Sequence, residues 1–185
     1  AFGTYRDADG RYPYSFQNGN LEVNEIRKNN DYRDYNFGGT VGYKNSKLST
    51  RIGYKKTNVS QGLPGAVIFY NQTQDERLAT NNDLIFGDIV HIRPKFKLRG
   101  YANASQSLIN YFDPTYFNAA GKIDVDYKNR NISGGISMNK VLISILELFG
   151  GIEAAVSDLK TNDSTFALPV RFHNYGLLGT RLKLN

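Results

Sequence analysis

No cysteine occurs among the 185 residues. That excludes disulfide staples and thiolate chemistry together, and leaves cysteine usage silent on the redox compartment. Tryptophan is also missing, methionine occurs once and proline five times. No window approaches 18 uninterrupted apolar residues; the nearest, VLISILELFGGIEAAV from Val141 to Val156, is cut by Glu147, Gly150, Gly151 and Glu153. A transmembrane helix is therefore not expected. The start at Ala1 carries no initiator Met and no charged segment leading into a short apolar one. We read it as the middle of a processed or longer chain.

Tyrosine (13), phenylalanine (11) and glycine (18) are plentiful. A soluble core of this length would normally draw on Leu, Ile and Val. Rings and glycine belong to sheets, tight turns and interfaces, and good helix formers are thin. The composition predicts an all-β, antiparallel chain. Its net charge of +6 suits nucleic acid, anionic lipid headgroups or a positively lined lumen. Lys and Arg are spread along alternate strand positions rather than gathered in a stripe or an RNP-like motif, so nucleic acid is not an expected partner.

Alternation at period two carries the fold prediction. In YNFGGTVGYK, Tyr35, Phe37, Val41 and Tyr43 share one face, with Asn36, Thr40 and Lys44 on the other. After the turn KNSK, Leu48, Ile52 and Tyr54 oppose Ser49, Arg51 and Lys55, giving a hairpin with an Asn-Ser tip. FKLRGYANA, NISGGISM and HNYGLLGTRLKLN repeat the device. VLISILEL fits a bulged strand or a short amphipathic piece equally well.

The predicted connections alternate in length. Residues 6–34, 57–82, 104–122 and 158–169 read as long and polar, and those near Asn45, Pro94 and Asn139 as short. The stretch QSLINYFDPTYFNAAGKIDVDY, with five rings broken by Asp113-Pro114 and Gly121, is read as a loop. An up-and-down meander with one looped rim and one turned rim is the layout of outer-membrane barrels, whose strands are about ten residues long. A soluble β-barrel that binds lipid or pigment, or a sandwich, also alternates but turns its apolar face inward.

Catalytic signals are thin. His91 and His173 lie on separate segments as lumen or rim residues. No HExxH, nucleophile elbow or GxxxxGK[ST] is present, so no catalytic residues are expected. Asp75-Glu76 and Asp124/Asp126 offer hard oxygens that could take Ca2+ in external loops, without EF-hand spacing. N-x-S/T triplets begin at Asn58, Asn71, Asn103, Asn131 and Asn162, several within proposed strands. Arg51, Lys55, Lys97, Arg99, Arg130 and Arg181 are expected on a wet lumen wall.

Four segments carry more specific text: SQGLPGAVIFYNQTQDERLATNND (Ser60 to Asp83), the Tyr111-x-Asp113-Pro114-x-Tyr116-x-Asn118-x-x-Gly121 loop, FALPVR (Phe166 to Arg171), and the opening stretch. Together they resemble barrel segments of TonB-dependent outer-membrane transporters, most closely the vitamin B12 (cobalamin) receptor-like branch. The resemblance runs from about Phe2 to Leu184. It implies a large transmembrane β-barrel of 22 strands, of which residues 1–185 would supply a single segment of about eight. It also implies an N-terminal plug and a TonB box, neither visible here. The last residues, RLKLN, lack the terminal aromatic of a final barrel strand, so an internal portion is expected.

The same resemblance implies localisation in the outer membrane and active import of a large scarce nutrient, cobalamin or a related corrinoid. Its implied partners are that small molecule, outer-membrane lipid and a TonB motor complex reached through the plug; a surface lipoprotein would be the partner of the docking-subunit alternative given below. Candidate ligand contacts in external loops are Leu63, Pro64, Phe69, Tyr70, Asn71, Tyr111, Phe112, Tyr116 and Phe117. The last four rings are read first as an interfacial girdle, then as loop self-packing, and only then as ligand contacts. Alternatives are a complete small eight-strand outer-membrane barrel acting as anchor or adhesin, and a receptor-like docking subunit of a surface complex.

Overall fold

The computed structural model describes residues 1–64, 75–116, 119–163 and 169–182. They form ten strands: β1 (Phe2–Ala8), β2 (Tyr12–Asn18), β3 (Leu21–Arg27), β4 (Tyr32–Lys44), β5 (Leu48–Leu63), β6 (Glu76–Arg93), β7 (Phe96–Asp113), β8 (Ile123–Ile143), β9 (Leu146–Thr161) and β10 (Val170–Leu182). Eight of them make one antiparallel sheet in the order β1-β4-β5-β6-β7-β8-β9-β10, while β2 and β3 pair separately as a hairpin inserted between β1 and β4. Among the described residues the sheet is open, with β1 and β10 at its edges. The all-β antiparallel meander expected from alternation is therefore present.

The pairing is longer than expected. Strands β4 to β10 run 13 to 21 residues rather than about ten. The stretch from Gln106 to Asp113, expected as loop, is the end of β7 and pairs residue by residue with Asp113↔Ile123 through Gln106↔Arg130. The expected loop over residues 6–34 likewise holds the end of β1, the whole β2–β3 hairpin and the start of β4. Both misreadings have one cause: backbone ladder bonds hold a strand even where neither face is consistently apolar.

At the other end the turns are tight. The first spans residues 45–47, one more than expected: Asn45 N donates to Leu48 O at 2.8 Å, and Asn45 Oδ1 accepts from the amides of Lys47 and Leu48 at 2.8 and 2.7 Å. That asparagine bonds its own downstream backbone, the device that makes Asn a turn residue. The second turn is Pro94-Lys95, and the third is Ser144-Ile145 rather than near Asn139. The VLISILEL stretch resolves into the end of β8, a register shift between Val141 and Ile143, that turn and the start of β9.

Register lines the faces up. Tyr54, Ile85, Ala104, Ile132, Val156 and Phe172 form one row, and Val41, Ile52, Gly87, Ala102, Gly134 and Ala154 the next toward the turns. This face is open: Val41 is 75 % exposed, Ile152 69 % and Phe172 74 %. Among the described residues no apolar side chain is buried; the buried groups other than glycine are Asp34, Asp113 and Arg27. The reverse face carries Arg51, Lys55, Lys97, Arg99 and Arg181, as alternation predicts. Arg130 departs from that expectation. It shares the face of Ile132, between Gln106 and Asp158, because even positions of β8 all point that way.

Candidate functional site

The looped rim gathers part of the predicted set. Leu63 ends β5 opposite Glu76, and Pro64 follows it. Tyr111 pairs with Leu78, and Phe112 with Arg77, at the end of β7. Alternation puts Leu63 and Tyr111 on the polar face of the sheet and Phe112 on the apolar one. Tyr116 is an exposed ring in the 114–122 connection. Phe69, Tyr70, Asn71 and Phe117 lie outside the described residues. The five described candidates thus do not share one surface: Phe112 turns away from Tyr111.

Local chemistry fixes the described ones. Burial, then the nearby Glu76 and Asp113 carboxylates, push the Tyr111 phenol above its ordinary value. Asp113, only 5 % exposed, accepts from Thr115 N at 2.9 Å and Thr115 Oγ1 at 3.0 Å. That Asx-type turn starts the connection at Asp113-Pro114.

Sequence reasoning missed the rim's principal construction. The segment from Arg27 to Asp31, just after the hairpin, lies across the ends of β5 and β6. Asn29 Nδ2 donates to Leu63 O at 3.1 Å and to Glu76 O at 2.7 Å, bridging the two strands where their own pairing stops. Arg27 donates to Pro64 O at 2.7 Å, and Gly62 N donates to Asp31 O at 2.9 Å. Arg77 forks onto Asp31 at 2.7 and 3.1 Å, and this guanidinium holds the Asp31 carboxyl below the usual carboxylate range.

Two backbone positions make the clamp possible. Asn29 sits at φ 53°, a left-handed conformation that asparagine tolerates better than most residues. Gly62 leaves the space it needs: a Cβ there would meet Asn29 Oδ1 at 2.3 Å and its carbonyl oxygen at 2.5 Å. The legible signals were Asn29-Asn30 and, in the hairpin, Asn18-Gly19 between two strand-like runs. Gly19 has φ 60° at the first of two turn positions, as a type II′ turn requires.

Below the rim, the polar face near β1 holds a groove of about 550 Å³ lined by residues that include Arg6, Asp34, Asn36, Lys55 and Thr57. Asp34 is fully buried and held by Arg6, while Asn36 Nδ2 donates to its second oxygen at 2.6 Å and Thr57 donates to Asn36 at 2.6 Å. Farther down, Arg51 pairs with Asp88 at 2.6 Å and lies over Phe86, and Arg181 faces Glu147 and Phe149. These groups hold and orient polar matter. His91 and His173 stand on opposite faces. Asp124 and Asp126 share Asn110 as donor at 3.1 and 2.9 Å, and no group of three or more metal-ligating side chains occurs among the described residues.

No family model matches the chain, and no curated protein matches it.

Proposed function

We propose that this chain is the barrel portion of an outer-membrane, TonB-dependent transporter that imports a large scarce nutrient, with cobalamin or a related corrinoid as cargo. The observation that carries the reading is the two-faced sheet: an open apolar face with nothing in the described chain packed on it, backed by a face of paired charges, Asn, Ser and Thr. On β7 the apolar rows run from Phe96 to Ala104. That is about 27 Å along the strand, and at a tilt of 40° about 20 Å of height, against the roughly 25 Å apolar band of such barrels. Short turns on one rim and long connections on the other fit the same layout.

An open sheet cannot sit in hydrocarbon, because its edge amides would go unpaired. Eight strands are roughly a third of the 22 that the family resemblance implies, and further strands would close the wall. A complete eight-strand barrel would need β1 to pair with β10, and they are not paired among the described residues. In such a transporter the cargo meets the external rim and the plug, and the rings at Tyr111 and Tyr116 with the clamped end of β5 present one part of that rim. Import then depends on an inner-membrane motor pulling on the plug, with no covalent step asked of these residues.

Two measurements test the reading. The full-length protein should remain with membranes through high-salt washing and need detergent for release; release by salt alone rejects it. Uptake of labelled cobalamin should fall in a deletion strain; unchanged uptake rejects the cargo and leaves the architecture standing.

A further inference from the structure

The apolar face does not end in neutral polar residues. One row beyond Ile132 stands Arg130, and one row beyond that Lys128 faces Lys160 directly across the β8–β9 ladder. Side chains directly opposite in a sheet have Cβ atoms about 5 Å apart, and like charges there are destabilising. The nearby carboxylates do not relieve them. Asp158 lies opposite Arg130 and Asp126 two residues from Lys128, yet Arg130 donates to Gln106 at 3.4 Å and Asp126 accepts from Asn110. None of these three cations is within 4.0 Å of a described carboxylate, in contrast with Lys56, which pairs with Asp83 one sheet position away at 3.1 Å.

We propose that Lys128, Arg130 and Lys160 form a seat for the phosphate of an anionic glycolipid headgroup in the outer leaflet; this rests on the membrane reading above. Three neighbouring cations without an ion-pair partner among the described residues fit a group that carries close to two negative charges and three strong acceptor oxygens, as a phosphomonoester does. A lone carboxylate would leave the Lys128–Lys160 repulsion half answered. Position selects a lipid over a free anion. The cations lie on the apolar face, two and four residues past Ile132 on β8, and Leu108 flanks Lys128 in the same row. Headgroup phosphates meet a membrane protein at that level, with acyl chains against the rows below.

The experiment uses the full-length protein in detergent and three probes: bisphosphorylated lipid A, the same lipid dephosphorylated, and inorganic phosphate. Lys128→Gln/Lys160→Gln should bind bisphosphorylated lipid A more weakly by about fivefold per cation removed, about 25-fold together. Lys128→Arg/Lys160→Arg should stay within about twofold, and the dephosphorylated lipid should not distinguish the variants. Far-UV circular dichroism checks that each variant folds. Equal binding of bisphosphorylated lipid A by wild type and the Gln variant overturns the proposal. Displacement of that lipid by an equal concentration of inorganic phosphate also overturns it, as a free-phosphate site. Release of the protein from membranes by salt would sink the transporter reading itself, whereas unchanged lipid binding in a membrane-embedded protein sinks only the seat.

Discussion

Near the short turns, one face of β4 to β9 carries Leu48, Ile52, Ile89, Leu98, Ile136 and Ile152. Past the row of Tyr54 and Ile85 the same face carries Lys56, Asp83, Gln106, Arg130 and Asp158, and there the ends of β5 and β6 are tied by Asn29 and Asp31. One sheet runs through both halves, but its side chains meet different surroundings. On the membrane reading proposed above, the turn half faces an apolar medium that the chain does not itself supply. The rim half carries its own side-chain bonds, which a crossing segment completes. The first is therefore sensitive to added charge and the second to lost geometry.

The sharpest way to break that contrast is a charge in the turn half. Ile52→Arg, on a residue 62 % exposed on the apolar face, should cost about 2–4 kcal/mol in a bilayer. Ser137→Glu, a charge exposed on the reverse face opposite Arg99, should stay within about 0.5 kcal/mol. Urea unfolding from lipid vesicles reads both, and equal midpoints for the two variants would put Ile52 in water.

In the rim half a single methyl should act instead. Gly62→Ala places a Cβ 2.3 Å from Asn29 Oδ1, and forced overpacking of this kind costs about 1–3 kcal/mol. Gly176→Ala, with nothing within 4 Å of the added carbon, should be close to neutral on the same unfolding curve. If the two variants match, the clamp is loose.

Asn29→Ala removes both bonds to the carbonyls of Leu63 and Glu76 and should cost about 1–2 kcal/mol. Asn29→Gly accommodates φ 53° while losing the same bonds, so its deficit isolates the bonds from the backbone. Amide exchange at Gly62 should quicken in either variant while Ile52 is unaffected; faster exchange at both sites would mean global rather than local opening.

Acid gives the smallest effect. The Asp31 carboxyl is depressed by Arg77, so its contribution is fully present above the ordinary carboxylate value of about 3.9 and is lost as pH falls through the lower folded value. Both partners are more than a third exposed, which limits the pair to under about 1 kcal/mol. Exchange at Gly62 in wild type should accelerate below about pH 4, and Asp31→Asn should abolish that response; a pH response that persists in the variant assigns it elsewhere.

Legibility in the sequence follows the same division. Where one face is apolar, as from Tyr35 to Tyr43 or Phe96 to Ala102, alternation alone placed strands and faces correctly, because period-two hydropathy records a difference between the two sides. From Gln106 to Asp113 each side mixes polar and apolar residues, Gln106 and Asn110 with Leu108 and Phe112 on one and Ser107 and Asp113 with Ile109 and Tyr111 on the other, so that difference vanishes and a paired strand reads as loop. Asn29 was illegible for another reason: its role depends on where the chain crosses β5 and β6, and no local pattern encodes a crossing. The hairpin turn at Asn18-Gly19 was legible in principle and was absorbed into the supposed loop. Arg130 was misassigned although parity along β8 ties it to Ile132.

The outer strands β1 and β10 each offer a row of amides and carbonyls to whatever lies beside them. Prepared alone in water, residues 1–185 would meet that demand with one another, stacking sheet edge to sheet edge through the exposed runs of Phe172 to Leu182. Soluble, dispersed preparations should therefore require either further strands that pair with β1 and β10 or a detergent that shields both margins.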